Sequence, residues 1–242
     1  MKKAISKSFG ILYHIWYYVV MASVILAIFP FIYTTSRKED TYDKFFRWAR
    51  VWAKAVLILM GLRVKATGLE KIRKGQQYII IANHASELDI MMTLALVPSP
   101  FVFIGKKELA KLPIFGYFYK RTNILVDRKS VSSKRRAMEM SGMRLAKGTG
   151  LCIFPEGGIP AKHELSPFKM GAFKLAVDYQ VPILALAFPD NRRHFPDFTQ
   201  GGYPGIVRAK ILGEIVPKSK LEEHAPALRD ESYRRIFDAL NE

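Results

Sequence analysis

The chain has 242 residues, 50% of them hydrophobic, with 38 Lys and Arg against 21 Asp and Glu for a formal net charge of +17. That length suits one substantial α/β domain with a small appendage, and the basic excess points to an anionic partner, with weak aromatic–basic interleaving arguing for membrane lipid and against nucleic acid. The single cysteine, Cys152, excludes internal disulfides and cysteine-rich metal sites, and the five histidines show no metal-ligand spacing, so no metal is expected.

From Ile11 to Thr35 the chain is almost continuously apolar, interrupted by His14 and Ser23, and is long enough to span a bilayer. Lys2, Lys3 and Lys7 precede it, as in a signal peptide, but the run exceeds a signal core and no small-x-small site follows. An uncleaved anchor is the expectation, and Pro30 leaves a kinked, re-entrant helix open. Tyr42 to Leu62 follows as a second helical segment, with Lys44, Arg47, Arg50 and Lys54 in a basic stripe beside Phe45, Phe46, Trp48, Val51, Trp52, Val56 and Leu57. The pattern fits a helix lying in a membrane interface and equally an ordinary domain helix with a solvated basic face. The preceding apolar run favours the first, so residues 1–62 read as an N-terminal membrane-associated two-helix module, ended by Gly61.

Residues 63–242 alternate short apolar runs with helical patterns. Strands are expected at Val64–Thr67, Tyr78–Ala82, Phe101–Ile104, Asn123–Val126, Leu151–Phe154, Ile183–Phe188 and Val207–Ile215, and helices at Glu87–Leu96, Ser132–Ala146 and Gly171–Tyr179, with a polar amphipathic helix in the tail. This pattern predicts an α/β domain with a mixed, largely parallel central sheet flanked by helices. Cys152, between Leu151 and Ile153, reads as a small core residue.

Chemistry concentrates in three places. After the apolar run ending at Ala82 comes Asn83-His84-Ala85-Ser86-Glu87-Leu88-Asp89. Ser86 and Asp89 have capping-box spacing, so a helix begins near Ser86 and His84 sits on the strand-to-helix turn. Five residues along a regular helix rotate a side chain by roughly 140°, so His84 and Asp89 can meet only with His84 outside the helix. They form either a base with its orienting acid or a structural histidine beside a capping acid. Phe154-Pro155-Glu156-Gly157-Gly158 is a tight turn after a strand, suited to close approach of a ligand. Between them, residues 106–147 carry twelve basic and three acidic side chains, a strip suited to a phosphate or an acidic protein.

Asn83-His84 with Asp89, the Lys107…Leu109…Pro113…Gly116 block ending in Asp127-Arg128, the Phe154-Pro155-Glu156-Gly157 turn and Val181-Pro182-Ile183 stand in the order found in the 1-acylglycerol-3-phosphate acyltransferases, which the chain resembles over roughly residues 63–215. The resemblance implies an O-acyltransferase acting in phospholipid biosynthesis. An acyl chain would pass from a thioester of acyl carrier protein or coenzyme A, a donor substrate and not a resident cofactor, to the free hydroxyl of a lysolipid, lysophosphatidate leading, to give phosphatidate. His84 would be the base and Asp89 its partner, with no covalent acyl-enzyme. Lys107, Arg128, Glu156 and Gly157 would bind substrate.

The family turn usually continues Thr-Arg, and here those positions are Gly158 and Ile159. Lys162, Lys169 and Lys174 follow closely and are the expected replacement cations. The isoleucine also motivates a competing acceptor, such as an amino-acid-linked lysolipid. A lipid thioesterase or hydrolase is a further alternative, against which no Gly-x-Ser-x-Gly elbow is present. By resemblance the protein belongs at the cell inner (cytoplasmic) membrane, its catalytic domain facing the cytoplasm.

Overall fold

The computed structural model describes residues 2–161, 164–198, 200–221 and 223–242. Helix α1 (Lys2–Ala27) and helix α2 (Phe29–Thr35) together cover the long apolar run. The break falls where Pro30 occupies the first turn of α2, a place where its missing N–H costs nothing. Helix α3 (Tyr42–Leu59) ends before Gly61, whose φ of 67° lets the chain turn directly into the sheet.

All seven expected strands form: β1 (Leu62–Thr67), β2 (Ile79–Ala82), β3 (Phe101–Lys106), β4 (Ile124–Val126), β5 (Gly150–Ile153), β6 (Ile183–Ala187) and β7 (Gly205–Ile215). They make one sheet in the order β1-β7-β6-β2-β5-β3-β4, parallel throughout except for the β6–β7 pair. The mixed, largely parallel sheet read from sequence is therefore borne out. The remaining described α-helices are α4 (Leu88–Leu96), α5 (Phe115–Thr122), α6 (Val131–Ala146), α7 (Gly171–Tyr179), α8 (Asn191–His194) and α9 (His224–Asn241). Periodicity does not announce α5 or α8, which at eight and four residues are too short for a helical repeat to show.

Side chains alternate across the sheet with period two, dividing the core. Ile80, Ala82, Cys152, Leu184 and Leu186 face a cluster shared with α1, α3 and α4, while Ile79, Ile81, Leu151, Ile183 and Ala185 face one shared with α6, α7 and α9. Cys152 is wholly buried, and burial pushes its thiol well up, so it is the core residue read from sequence and no nucleophile.

The N-terminal helices are part of this core. Tyr13, Tyr17, Val20 and Ile25 of α1 are buried, as are Phe45, Phe46, Trp52, Val56 and Leu57 of α3. Tyr13 Oη donates to the Met60 carbonyl at 2.8 Å and Trp52 Nε1 to the Met21 carbonyl at 3.2 Å. Gly10 lies so close to Gly201 that a methyl group there would fall 2.1 Å from the Gly201 Cα. Phe45, Phe46 and Trp52 of α3 thus face protein, while Val51, Ile58 and Leu59 on the same helix stay exposed. Those aromatics pack on α1, α2 and α4, because protein there offers a closer-packed apolar surface than an interface does. One of its four basic residues, Arg50, donates to the Leu94 and Ala95 carbonyls at 3.2 and 3.3 Å, closing the C-terminal end of α4. What the two helices leave outward is a second apolar face, with Leu12, Ile15, Trp16, Val19 and Leu26 of α1 and Val51, Ile58 and Leu59 of α3 exposed. Phe9–Ala27 is long and apolar enough to cross a membrane.

Candidate active site

β2 runs at the middle of the sheet between β6 and β5, and the polar residues that matter follow the C-terminal ends of these three neighbouring strands. His84 follows β2, Glu156 follows β5 and Asn191 follows β6. Parallel neighbours deliver their loops to one edge, which is where open α/β sheets bind ligands. Asn83 fixes the spacing there, donating from Nδ2 to the Phe188 carbonyl at 3.1 Å and accepting the Phe188 N–H on Oδ1 at 2.8 Å.

His84 lies on the turn before α4, outside the helix, as the spacing requires. Its Nδ1 is 3.0 Å from Asp89 Oδ2. That oxygen also accepts the backbone N–H groups of Ala85 and Ser86 at 2.7 and 2.8 Å, and Asp89 Oδ1 accepts Asn191 Nδ2 at 2.8 Å. The Asp89-to-Ser86 bond is one half of the capping box expected from sequence. The reciprocal half does not form: Ser86 Oγ accepts from the Leu88 N–H at 3.2 Å, while the Asp89 N–H goes to the Ser86 carbonyl, and Oγ donates to the Phe195 carbonyl at 2.6 Å. The sequence leaves a histidine–acid pair and a capped turn as alternatives; the Asp89 carboxylate makes the contacts of both, to the His84 ring and to the backbone N–H groups of the turn.

Asp89 is 0% exposed and His84 8%. Facing a carboxylate, Nδ1 carries the proton of the neutral ring, which leaves the lone pair on Nε2. Among the described residues no hydrogen bond engages Nε2. The ring is held flat against Phe154, with centroids 4.1 Å apart and planes at 14°. The Glu156 carboxylate fixes the backbone beneath it, Oε1 accepting the His84 N–H at 2.7 Å and Oε2 the Ser166 N–H at 2.9 Å. Burial pushes the Glu156 carboxyl up, and the two N–H donors oppose that shift. His84 and Glu156 open on a cleft of about 770 Å³ whose walls include Phe188, Arg192, Arg193 and Tyr233.

The other residues singled out from sequence divide. Gly157 takes φ = 81°, and a methyl there would lie 2.1 Å from Lys169 Nζ; a methyl on Gly158 would lie 3.0 Å from Arg128 Nη1. Lys169 and Arg128, 41 positions apart in the chain, are thus brought against two adjacent glycines whose lack of side chains makes the room. Lys107 is elsewhere engaged, its Nζ 2.5 Å from Asp127 Oδ2 at the exposed ends of β3 and β4. Lys174 lies on α7, and Lys162 falls outside the described residues. The residue that sequence reasoning missed is Asn191, and its signal was an asparagine shortly after an apolar strand, in Phe188-Pro189-Asp190-Asn191.

The family model described as Acyltransferase matches residues 63–188, more than half of the chain and the segment that holds His84, Asp89 and Glu156. The chain belongs to the acyltransferase family. Among relatives of this acyltransferase, human 1-acyl-sn-glycerol-3-phosphate acyltransferase alpha is 28% identical over 186 residues, covering 76% of this chain and 66% of that protein. The Saccharomyces cerevisiae 1-acyl-sn-glycerol-3-phosphate acyltransferase is 31% identical over 205 residues, covering 80% and 65%. The mouse alpha enzyme is 29% identical over 178 residues, covering 71% and 61%, so the chain spans slightly less than two thirds of these relatives. The crystal structure of the 1-acyl-sn-glycerophosphate (LPA) acyltransferase PlsC from Thermotoga maritima matches with a TM-score of 0.76 over 97% of both chains, at 23% identity, which establishes a common fold.

Proposed function

We propose that this acyltransferase moves an acyl chain from a thioester donor to the free hydroxyl of 1-acylglycerol-3-phosphate, forming phosphatidate. The observation that carries the reading is the buried His84–Asp89 pair, joined through Nδ1, with His84 lining a cleft, and the activities named for the relatives support it. Nε2 takes the hydroxyl proton as the oxygen attacks the thioester carbonyl. The tetrahedral intermediate expels the thiolate, and the imidazolium returns the proton to that sulfur, so base and acid are one residue. Direct transfer is favoured over an acyl-serine route because the nearest hydroxyl in the motif, Ser86 Oγ, is spent on the Phe195 carbonyl. The same chemistry asks for no resident cofactor.

Arg128 and Lys169 at the Gly157–Gly158 turn are the cations proposed for the acceptor phosphate, replacing the arginine that Ile159 displaces. A charge-assisted hydrogen bond contributes roughly 1.5–3 kcal/mol, so Lys169→Ala raises KM for lysophosphatidate about 10- to 100-fold and leaves kcat near wild type. The deciding assay supplies purified protein with lysophosphatidate and acyl thioesters of both coenzyme A and acyl carrier protein. Absence of phosphatidate, with turnover of an uncharged or amino-acid-linked lysolipid, overturns this acceptor and makes Ile159 the mark of a different one. The net charge of +17 and the basic strip suit either donor.

We place the protein on the inner membrane with the catalytic domain facing the cytoplasm, where thioester donors are made. The outward apolar face of α1 and α3 supports the membrane part of this reading. Ile58 is 72% and Leu59 52% exposed, and burying each side chain in lipid contributes roughly 1.5–3 kcal/mol. The double variant Ile58→Glu, Leu59→Glu therefore releases the protein from vesicles in a flotation assay while its melting temperature holds. Unchanged flotation would remove these helices from the contact.

A further inference from the structure

We infer that Asn191 is the positioning residue behind the His84–Asp89 pair, an assignment that rests on the acyl-transfer reading and refines it. The two oxygens of Asp89 are unequally served. Oδ2 takes three donors, His84 Nδ1 and the N–H groups of Ala85 and Ser86, whereas Oδ1 takes a single described donor, Asn191 Nδ2 at 2.8 Å. Both side chains are wholly buried. Without Asn191, Oδ1 would sit in a dry site with no described donor, and the carboxylate would gain freedom to turn about its own axis and loosen its hold on the imidazole.

The amide is oriented at a cost. Asn191 Oδ1 is buried with no hydrogen-bond partner among the described residues, a defect that typically destabilises a fold by about 1–3 kcal/mol. Turning the amide over would aim that oxygen at a carboxylate, which is worse, so the Asp89 charge dictates which end points inward. A side chain kept only for packing has no need of an amide that leaves its own acceptor unpaired. The fold also holds α8 rigidly where the amide reaches. The Asp190 carboxylate, next in the chain, takes Arg208 Nε and Nη2 of β7 at 2.7 Å each, the Phe195 N–H returns to the Asn191 carbonyl at 2.8 Å, and Ser86 Oγ holds the Phe195 carbonyl. The motif turn and α8 are therefore tied together twice, once through Asp89–Asn191 and once through Ser86–Phe195, across more than a hundred residues of sequence.

Three variants test this in the full chain, assayed on the acceptor and donor that the wild type turns over. Asn191→Leu keeps the volume and removes the donor, Asn191→Ser keeps a shorter donor, and Asn191→Ala leaves a space. The expected order of kcat is wild type, then Ser, then Leu and Ala, the last two down on the order of 10- to 100-fold, as when a catalytic group is slightly misplaced, with KM near wild type. In parallel, the Nδ1 proton of His84, assigned by its loss in His84→Ala, is followed by proton NMR; it shifts or is lost to exchange in the Leu variant. The NMR reading needs no turnover, so it stands even where the acyl-transfer reading fails. A folded Leu variant with wild-type kcat, equal kcat in Ser and Leu, or an unmoved Nδ1 proton overturns the assignment. Loss of folding in all three would make Asn191 a stability residue and overturn it as well.

Discussion

Asp89→Asn lowers kcat by about four orders of magnitude, the scale found when the acid of a Ser-His-Asp triad is made an amide. The argument is one of donors and acceptors. Asp89 is an all-acceptor group at the centre of four donors, three on Oδ2 and one on Oδ1. An asparagine offers one oxygen and two N–H groups in the same space. With its oxygen toward His84, Ala85 and Ser86, its NH2 meets the NH2 of Asn191 head on. With its oxygen toward Asn191, its NH2 faces two backbone N–H groups and donates to Nδ1, forcing the imidazole proton onto Nε2 and removing the lone pair that accepts the substrate proton. The first arrangement keeps the tautomer and loses the charge that stabilises the imidazolium; the second loses the base itself. Each leaves at least one buried donor unpaired, at roughly 1–3 kcal/mol, so the variant also melts at lower temperature. Rate and melting curve are measured together, and a folded Asp89→Asn protein with wild-type kcat would remove Asp89 from the mechanism.

His84→Ala separates chemistry from structure more cleanly. General-base assistance contributes about 10²- to 10⁴-fold, and kcat falls by that range with substrate KM nearly unchanged. The fold survives, because the bond that anchors the turn, His84 N–H to Glu156, belongs to the backbone, and Asp89 retains three of its four donors. What is lost is the ring stacked on Phe154 at 4.1 Å, and the ring edge is already at the cleft. The expected result is a well-folded protein that still floats with vesicles and does not transfer acyl groups. A protein that only tethers itself to anionic lipid would lose nothing measurable, so retained turnover in His84→Ala would sink the enzymatic assignment.

Much of this was legible without coordinates. Strand positions were readable because buried parallel strands are short apolar runs bounded by turn residues, and the antiparallel return of β7 was the part of the topology that no local pattern announced. The N-terminal helices were legible as helices, and the structure adds which of their faces meets protein and which stays outward. Periodicity shows that Phe45, Phe46, Trp52 and Val56 share a face, and nothing in a period says whether that face meets lipid or protein. The Gly157-Gly158 turn read as a place of close approach, and the structure supplied what approaches, the cations of Lys169 and Arg128.

The His84-to-Asp89 spacing by itself determined that the two side chains can meet only across a strand-to-helix turn, since a regular helix would point them apart. The order of the motifs determined the family, and the charge determined the kind of partner. Tertiary structure alone decided how the pair is held: Glu156 under the His84 backbone, Phe154 against its ring, and Asn191 on the far oxygen of Asp89. Phe154 and Glu156 follow β5 and Asn191 follows β6, the two strands that flank β2 in the sheet and lie far from it in the chain. A local sequence pattern records what a residue's near neighbours require of it, whereas the orientation of a buried carboxylate is set by donors that only the folding of the sheet brings within 3 Å.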